Sequence, residues 1–248
     1  MNQFFTEASN IRDGRITVTG ADVNHISNVL RLKRGEAVSI VCNDNGLTYT
    51  CTIDEITPLE VVCLIRDVQS ESRELPVSIT LFQGLPKSDK LEFVIRKAVE
   101  MGAVRIVPVA MKRSIVKPDP ARAAKKLTRW NAIAESAASQ SKRGRIPEVL
   151  AVHTFAEAVT EARKCDKILM PYELAEGMDE TRRIMTDIRS SEPGSIAVFI
   201  GPEGGFDETE VNLLKEAGAH IITLGNRILR TETAPIAILA WLTYIFER

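Results

Sequence analysis

The sequence lacks each of the glycine-rich motifs by which the commonest nucleotide-binding and cofactor-binding enzymes are recognised. No Gly-x-Gly occurs among its 248 residues, which excludes the dinucleotide fingerprint and the glycine loop of ordinary Rossmann-type methyltransferases. No Gly-Lys-Ser or Gly-Lys-Thr occurs, so a P-loop nucleotide hydrolase is excluded. No Gly-x-Ser-x-Gly occurs either, so the nucleophile turn of the α/β-hydrolases is missing. Any cofactor site must therefore use loops of another kind.

Long apolar runs and paired cysteines are missing too. No window approaches the ~18 apolar residues that indicate a membrane span, and residues 1–7 lack the basic start and apolar run of a secretory signal. The four cysteines (Cys42, Cys51, Cys63 and Cys165) form no Cys-x-x-Cys pair, and the three histidines are isolated, so the short ligand spacing of a zinc site is absent. We therefore expect a cytoplasmic protein that binds no metal and keeps its cysteines reduced and mostly buried.

The net charge of −1 is unevenly distributed along the chain. Between Arg105 and Arg145 there are eleven lysines and arginines but two acidic residues, and the remainder of the chain is acidic. A concentrated basic stretch favours a phosphate-binding surface, because each neutralised phosphate releases counterions. A solvated helix face with incidental lysines explains the charge alone equally well.

The first 70 residues have the pattern of a small β-barrel. Apolar and polar residues alternate in several short segments, and Asn43–Gly46 is a strong turn signal. The expected elements are strands at 15–19, 37–41, 48–53 and 61–68 and one helix at 25–32. A polar, charged segment then runs from Ser70 to Pro76, and we place the domain boundary within it. The predicted domains are residues 1–72 and 73–248.

After this boundary, strands and helices alternate. The expected strands are 77–83, 104–109, 167–170, 196–200 and 220–224. The expected helices are 89–101, about 120–141, one opened by a capping box at Thr154 and Glu157, one capped by Asp207 with Glu210 that ends at Gly218, and 233–246. Repeated βα units predict a mostly parallel sheet covered on both faces, with ligands at the carboxyl ends of its strands. The predicted fold class is α/β with a small N-terminal β-barrel.

Two loops at that end of the sheet are unusual. The first, Gly201–Phe206, joins an apolar strand to a helix, and its glycines let backbone N–H groups approach a ligand. A tight turn that needs positive φ is the alternative. The second, Leu224–Ala234, joins the last strand to the last helix. Thr231 or Thr233 is placed to cap that helix, yet the loop also carries two arginines and a glutamate, more than a cap requires.

Together these loops, GPEGGF and LGNRILRTETA, resemble the SPOUT class of RNA methyltransferases. Within that class they resemble the 16S rRNA (uracil-N3) methyltransferases, often called RsmE-type. The resemblance covers nearly the whole chain. His25–Arg31 is similar to the family's N-terminal motif, and Lys87–Glu92 is similar to its motif after the first strand of the second domain. Ser139–Arg143 is similar to a segment in which glutamate is usual where Ser139 stands, which leaves the role of that carboxylate open.

The resemblance implies an S-adenosylmethionine-dependent enzyme that methylates N3 of a uridine in 16S rRNA, within an assembled small ribosomal subunit. It also implies a SPOUT domain with a deep trefoil knot, a PUA-like barrel that helps to hold RNA, and a homodimer with each cofactor near the interface. No membrane and no metal are expected. Two alternatives stay open: a related methyltransferase with another RNA target such as tRNA, and a non-catalytic RNA-binding factor of ribosome assembly.

The resemblance also indicates candidate binding residues. Those for the cofactor follow the strand ends and are Met170, Pro171, Ile200, Gly201, Pro202, Gly204, Gly205, Leu224, Gly225, Ile228, Leu229, Thr233 and Ala234, with Tyr172 and Glu173 expected beside Pro171. Those for RNA are Arg12, Arg31, Lys87, Lys112, Arg113 and Arg143.

Glu203 and Arg230 are the candidate catalytic residues. Uracil N3 carries a proton in the neutral base, so a group must accept that proton or stabilise the developing anion. Glu203 is a candidate base or orienting acceptor, with capping of the next helix as its alternative. Arg230 is a candidate for stabilising the uracil anion or for binding a phosphate, with pairing to Glu232 as its alternative. Arg143 is a candidate for reaching the site across the dimer, although a phosphate contact is the role we favour.

Overall fold

A computed structural model describes residues 1–70, 73–116, 120–175 and 177–247. The predicted domain boundary at residue 72 lies outside these described residues, as do Lys117 and Asp119 of the basic stretch.

The chain divides into two compact units. The N-terminal unit comprises Met1–Glu74 and Ala138–Ile146, and the C-terminal unit comprises Leu75–Ala137 and Pro147–Arg248. The sequence predicts a single boundary, near residue 72, so the inclusion of residues 138–146 in the N-terminal unit is seen only in the structure.

The N-terminal unit contains a six-stranded sheet. Its strands are β1 (Asn2–Thr6), β2 (Ile11–Arg12), β3 (Arg15–Thr19), β4 (Ala37–Cys42), β5 (Thr48–Ile56) and β6 (Glu60–Gln69). Their order is β1-β4-β5-β6-β3-β2, with β1 parallel to β4 and the other pairs antiparallel. Helix α1 (Ala21–Asn24) continues as a π-helical turn, His25–Val29, and a 3₁₀ turn spans Ala8–Asn10. The four strands and the helix predicted in this unit are confirmed with shifted ends.

The core of this unit is made of side chains from the sheet and the π-helical turn. Ile16, Ile26, Val38 and Ile40 are fully buried. The cysteines at positions 42, 51 and 63 are buried with them and free. Burial raises the pKa of the Cys51 thiol to about 12 and that of the Cys63 thiol to about 11. Both thiols are therefore protonated at neutral pH and pack as small apolar groups, as the sequence predicts.

The C-terminal unit alternates strands and helices around a seven-stranded sheet. Its strands are β7 (Ser78–Gly84), β8 (Arg105–Ala110), β9 (Glu148–Val149), β10 (His153–Thr154), β11 (Lys167–Pro171), β12 (Ser195–Ile200) and β13 (His220–Ile222). Its helices are α2 (Lys90–Glu100), α3 (Pro120–Ser141, whose last residues cluster with the N-terminal unit), α4 (Phe155–Ala162), α5 (Met178–Ser191), α6 (Glu208–Glu216) and α7 (Ala234–Phe246). The main strand order is β10-β8-β7-β12-β11-β13, β9 pairs with β8, and all pairings in the described residues are parallel.

The sheet is buried on both faces, as predicted. Successive residues of β7, from Ile79 to Gln83, are all buried, although their side chains point alternately to opposite faces. On one face Phe82 stacks on Phe199 of β12 with ring centroids 4.5 Å apart. The capping boxes predicted at the starts of α4 and α6 are both present. The trefoil knot that the resemblance implies stays a prediction.

Helix α5 is the largest element that the sequence analysis leaves unassigned. Its first turn has Gly177 at the N-cap, with no side-chain cap. Its surface is highly charged, with ion pairs such as Arg182–Asp179 and Arg183–Glu180. The usual start signal is therefore missing, and a narrow apolar stripe alone marks the helix. Within the described part of the chain, no helix combines the length and the apolar character needed to cross a membrane.

Candidate active site

A cavity of about 600 Å³ lies at the carboxyl ends of β11, β12 and β13, where ligands bind in parallel sheets. Most of its wall comes from the first loop (Gly201–Phe206) and the second loop (Leu224–Ala234), with a third wall after β11. The lining residues are Lys90, Pro171, Tyr172, Glu173, Ala175, Gly177, Ile200, Gly201, Pro202, Glu203, Gly205, Phe206, Thr223, Leu224, Gly225, Asn226, Arg227, Ile228, Leu229, Arg230, Thr231 and Ala234. Cavities of roughly 300–1,000 Å³ are typical of small-molecule sites.

The first loop folds tightly on itself. Gly205 has a φ of +67° and donates its N–H to the Pro202 carbonyl at 2.9 Å, a backbone conformation that favours glycine. A Cβ atom at Gly205 would also lie 3.1 Å from Oε1 of Glu173 on the third wall. Phe206 is buried and meets the ring of Tyr172 edge to face. The glycine therefore allows the close approach of two walls, and the aromatic residue anchors the end of the loop.

Thr231 connects the two loops. Its hydroxyl donates to the Gly201 carbonyl at 2.7 Å and accepts from the Gln83 side-chain amide at 3.0 Å. Thr231 and Gln83 are both buried, so water does not compete for these bonds. Neither threonine suggested by the sequence caps α7 through its side chain: the N-cap is Thr233, which makes no such bond. The hydroxyl of Thr231 is used to join the loops instead.

Replacing Thr231 by valine preserves the side-chain shape but removes the hydroxyl. The partly buried Gly201 carbonyl then loses its partner, so we expect the free energy of unfolding to fall by about 1–3 kcal/mol. Thr231→Ser keeps the hydroxyl and removes one methyl group, which is expected to cost about 0.8 kcal/mol. Denaturant unfolding measures both. A serine variant as unstable as the valine variant would show that packing, and not the hydrogen bonds, stabilises the connection.

A charged cluster lies at one side of the cavity. Nζ of Lys90, the first residue of α2, is 3.2 Å from Oε1 of Glu203 and 3.1 Å from Oε2 of Glu232. Hydrogen bonds to Glu232 and then to Glu203 raise the pKa of Lys90. Lys90 is therefore a cation held between one carboxylate from each loop.

Both carboxylates are stabilised in their charged forms. Burial alone would raise the pKa of Glu203, but hydrogen bonds from its own backbone N–H, from the Lys87 N–H at 3.1 Å and from Lys90 more than offset burial, so the pKa is lowered. Burial likewise opposes ionisation of Glu232, and its own backbone N–H and Lys90 lower its pKa. The cluster is therefore fully ionised at neutral pH.

Most predicted cofactor residues line the cavity, and three do not. The Met170 side chain is fully buried in the hydrophobic core that includes Phe82 and Phe199. Gly204 packs against Arg113, where a Cβ would lie 2.9 Å from Arg113 Cβ. Thr233 is exposed at the start of α7. None of these three residues lines the cavity.

Glu203 lines the cavity but does not cap the following helix. Asp207 and Glu210 form the capping box of α6, so that alternative for Glu203 is wrong. Its carboxylate accepts from Lys87 and Lys90. A carboxylate with a lowered pKa is a weak base, so the geometry favours an orienting acceptor over a general base.

Arg230 lines the cavity and is exposed. Its expected partner, Glu232, forms its ion pair with Lys90; the charge of Arg230 helps to lower the pKa of Glu232, but no carboxylate among the described residues lies within ion-pair distance of its guanidinium. A positive charge without a fixed counterion thus faces the cavity, where it is available to an anion.

Three predicted RNA-binding residues surround the first loop. Lys112 pairs with Asp207 at 3.0 Å and donates to Thr209 at 2.6 Å, while Arg113 donates to the Gly204 carbonyl at 3.2 Å. Hydrogen bonds from Thr209 and then Lys112 lower the pKa of Asp207 to about 2. Lys87, the third, is exposed. Of these three cations, two are partly engaged by the protein itself.

The remaining predicted RNA contacts belong to the N-terminal unit. Arg12 and Arg31 are exposed there. Arg143 is only 4% exposed. Its guanidinium forms a two-pronged ion pair with Glu74, with Nε 2.8 Å from Oε1 and the second contact through Nη2. The prediction that Arg143 contacts phosphate, or reaches a site across a dimer, does not fit this placement, because the guanidinium is buried and bound to a carboxylate.

Sequence reasoning missed Lys90 and Thr231 as site residues. Lys90 lies within a motif that the resemblance identified, but three elements far apart in sequence must meet before its role is visible. Thr231 was interpreted only as a helix cap. Asn226 and Arg227, also on the second loop, line the cavity as well. Among the described residues, no group of three metal-binding side chains comes together.

Comparison with known families defines the class of the protein. A family model described as an RNA methyltransferase domain matches residues 73–243, and a model described as an RNA methyltransferase PUA domain matches residues 18–66. The chain is therefore an RNA methyltransferase with a PUA domain.

Individual relatives narrow this class. A Bacillus subtilis protein named Ribosomal RNA small subunit methyltransferase E is 38% identical over 93% of this chain and 90% of its own length. A Synechocystis protein of the same name is 30% identical over 96% of this chain and 75% of its own length. The crystal structure of a Ribosomal RNA small subunit methyltransferase E from Neisseria gonorrhoeae bound to S-adenosyl methionine is 33% identical, with a TM-score of 0.85 over 99% of this chain and 98% of that chain. The chain belongs to the family of ribosomal RNA small subunit methyltransferases E, and the resemblance noted from its sequence is confirmed.

Proposed function

We propose that this protein transfers the methyl group of S-adenosylmethionine to N3 of a uridine in 16S rRNA. The observation that carries the proposal is the single cavity that both loops enclose, with the unpaired Arg230 in its wall. Its relatives are named for methylation of small-subunit ribosomal RNA, and a similar structure contains S-adenosyl methionine.

The cavity fits this cofactor in size and in chemistry. Its volume of about 600 Å³ lies in the range of small-molecule sites. Ile200, Phe206, Leu224 and Leu229 supply apolar surface for an adenine ring. Gly225, with a φ of +104°, allows backbone groups to come close to a ribose or an amino acid moiety. When bound, S-adenosylmethionine supplies an electrophilic methyl group on a sulfonium.

The side chains of this chain would assist the nucleophile. When N3 gains a methyl group it loses its proton, so negative charge develops on the uracil ring as that proton leaves. Arg230 stabilises this charge, because no ion pair neutralises its guanidinium beforehand. Glu203, held by Lys87 and Lys90, orients the first loop and leaves the proton to pass to solvent.

The same proposal includes the partners of the enzyme. Exposed cations, such as Arg12 and Arg31 on the N-terminal unit and Lys87 near the cavity, would contact the RNA backbone of an assembled small subunit in the cytoplasm. A homodimer is supported by the apolar helix α7, where Tyr244 is 87% exposed. Ile236, Trp241 and Ile245 of the same helix are partly buried, and a partly exposed apolar helix is a surface that a second copy could cover.

The substrate is tested by mass spectrometry of nucleosides from small-subunit rRNA of a strain that lacks the protein. We expect 3-methyluridine to be missing and to return when the gene is supplied again. Unchanged 3-methyluridine would overturn the assignment. Purified protein with isotope-labelled S-adenosylmethionine then separates the alternatives: label in small subunits supports the proposal, label in tRNA indicates another target, and no cofactor binding at millimolar concentration indicates a non-catalytic binder.

A further inference from the structure

The ammonium group of Lys90 is the ionic contact common to both loops of the cavity. It lies 3.2 Å from Glu203 on the first loop and 3.1 Å from Glu232 on the second. The side chains are partly shielded, with 32% of Lys90, 25% of Glu203 and 19% of Glu232 exposed. One cation on a rigid helix therefore connects two loops that follow different strands.

Removing this cation would leave two carboxylates facing each other. Both lie within ion-pair distance of a single nitrogen, so they are close enough to repel one another once that nitrogen is gone. Glu203 would keep its hydrogen bond from the Lys87 N–H, which fixes it beside α2. The repulsion would therefore act mainly on Glu232 and displace the second loop.

We propose that Lys90 is a positioning residue that sets the spacing of the two loops for the cofactor. The inference rests on the proposed function, since it assumes that the cavity holds S-adenosylmethionine. Partly exposed ion pairs contribute little to global stability, whereas preorganised walls increase affinity because binding does not have to order them. The loss of Lys90 is therefore expected to weaken cofactor binding much more than folding.

The chain offers a matched control on the same helix. Lys97 pairs with Glu100 at 2.8 Å, with side-chain exposures of 33% and 24%, but it does not line the cavity. Lys97→Met thus removes an ion pair of similar exposure from α2 without affecting the loops. Lys90→Arg keeps the positive charge and can still reach two carboxylates.

The test is calorimetric titration of the purified full-length protein with S-adenosylmethionine. We expect Lys90→Met to raise Kd by about tenfold or more, Lys90→Arg to restore most of the affinity, and Lys97→Met to change Kd by less than about twofold. Hydrogen exchange of the cofactor-free protein should show faster exchange of residues 201–206 and 224–234 in Lys90→Met and not in Lys97→Met. In methylation assays KM for the cofactor should rise more than kcat falls.

Two further variants isolate the repulsion. Glu232→Gln alone weakens the ion pair between Lys90 and the second loop but keeps the pair with Glu203, so it should raise Kd less than Lys90→Met does. In the Lys90→Met background, Glu232→Gln removes the repulsion and should recover affinity, so the two changes are non-additive. If Lys90→Met fails to fold, Glu232→Gln alone still tests whether the ion pair between Lys90 and the second loop increases affinity for the cofactor.

The outcomes separate this inference from the proposed function. If the wild-type protein binds no S-adenosylmethionine, the proposed function fails. If the wild type binds but Lys90→Met binds equally well, or Lys97→Met is weakened to the same extent, the inference is overturned while the function stands.

Discussion

Replacing Arg230 by alanine is expected to lower kcat for methyl transfer by about 100- to 1,000-fold, the usual effect of removing one group that stabilises a developing anion. Arg230 lines the cavity, and its nearest candidate partner, Glu232, is already bound by Lys90. Its charge is therefore free to stabilise the uracil as N3 loses its proton. Because this interaction forms only as charge develops, Kd for S-adenosylmethionine should change by less than about twofold.

The neighbouring Arg227 provides the control for this prediction. It lies on the same loop and lines the same cavity, so Arg227→Ala removes an equal charge from a nearby position. We expect its kcat to fall by less than about tenfold. Steady-state methylation of small ribosomal subunits measures kcat, and calorimetry measures Kd. Equal losses in the two variants would mean that the loop needs positive charge in general, and an unchanged kcat in Arg230→Ala would remove this residue from catalysis.

Replacing Arg143 by methionine is expected to destabilise the N-terminal unit by about 3–5 kcal/mol, the cost of leaving one partner of a buried ion pair uncompensated. The guanidinium is 5% exposed and Glu74 is 13% exposed, so water cannot replace the lost partner. Gly144 also donates its N–H to Glu74 at 2.9 Å, and Arg145 lies 3.9 Å from the same carboxylate, but neither contact replaces the two-pronged bond from the Arg143 guanidinium. Urea unfolding followed by a probe in the N-terminal unit measures the change.

Arg145 is the matched control for this ion pair. It lies two residues away and 3.9 Å from the same carboxylate, but is 53% exposed. Arg145→Met should therefore cost less than about 1 kcal/mol. Glu74→Gln combined with Arg143→Met should recover stability, since neither charge remains. If Arg143→Met is fully stable but binds rRNA more weakly, the original assignment of Arg143 to phosphate binding is correct after all.

The pattern of apolar and polar residues predicted those helices and strands in which apolar residues are buried and polar residues are exposed at regular intervals. Strand β3 and helix α2 follow their apolar periods closely, and both capping boxes are read directly from residues three apart. Strand β1 was missed because Gln3 is buried beside Phe4 and Phe5, so polarity and burial do not alternate together. Gln3 is buried because its side chain donates to the Arg143 carbonyl at 2.8 Å, a contact between residues far apart in sequence.

In the candidate site, too, contacts between residues far apart in sequence could not be predicted from local patterns. The two loops can be predicted from the sequence because the first is rich in glycine and the second carries two arginines and a glutamate, which an ordinary turn or helix cap does not need. The functions of Lys90 and Thr231 depend on which loops meet, and that is decided by the strand order and not by neighbouring residues. Arg143 shows the opposite error: a cation in a basic stretch was interpreted as a phosphate ligand, whereas it binds Glu74, a residue 69 positions earlier in the chain.

The position of residues 138–146 in the N-terminal unit affects how the protein folds as it is synthesised. Domains generally fold in order as the chain leaves the ribosome, but this unit has its last segment about 60 residues after its first part ends. Until that segment emerges, Gln3 and Glu74 lack the Arg143 contacts that they make in the finished protein. The first part therefore remains incomplete while much of the methyltransferase domain is translated, and a fragment ending at residue 74 is expected to fold poorly on its own.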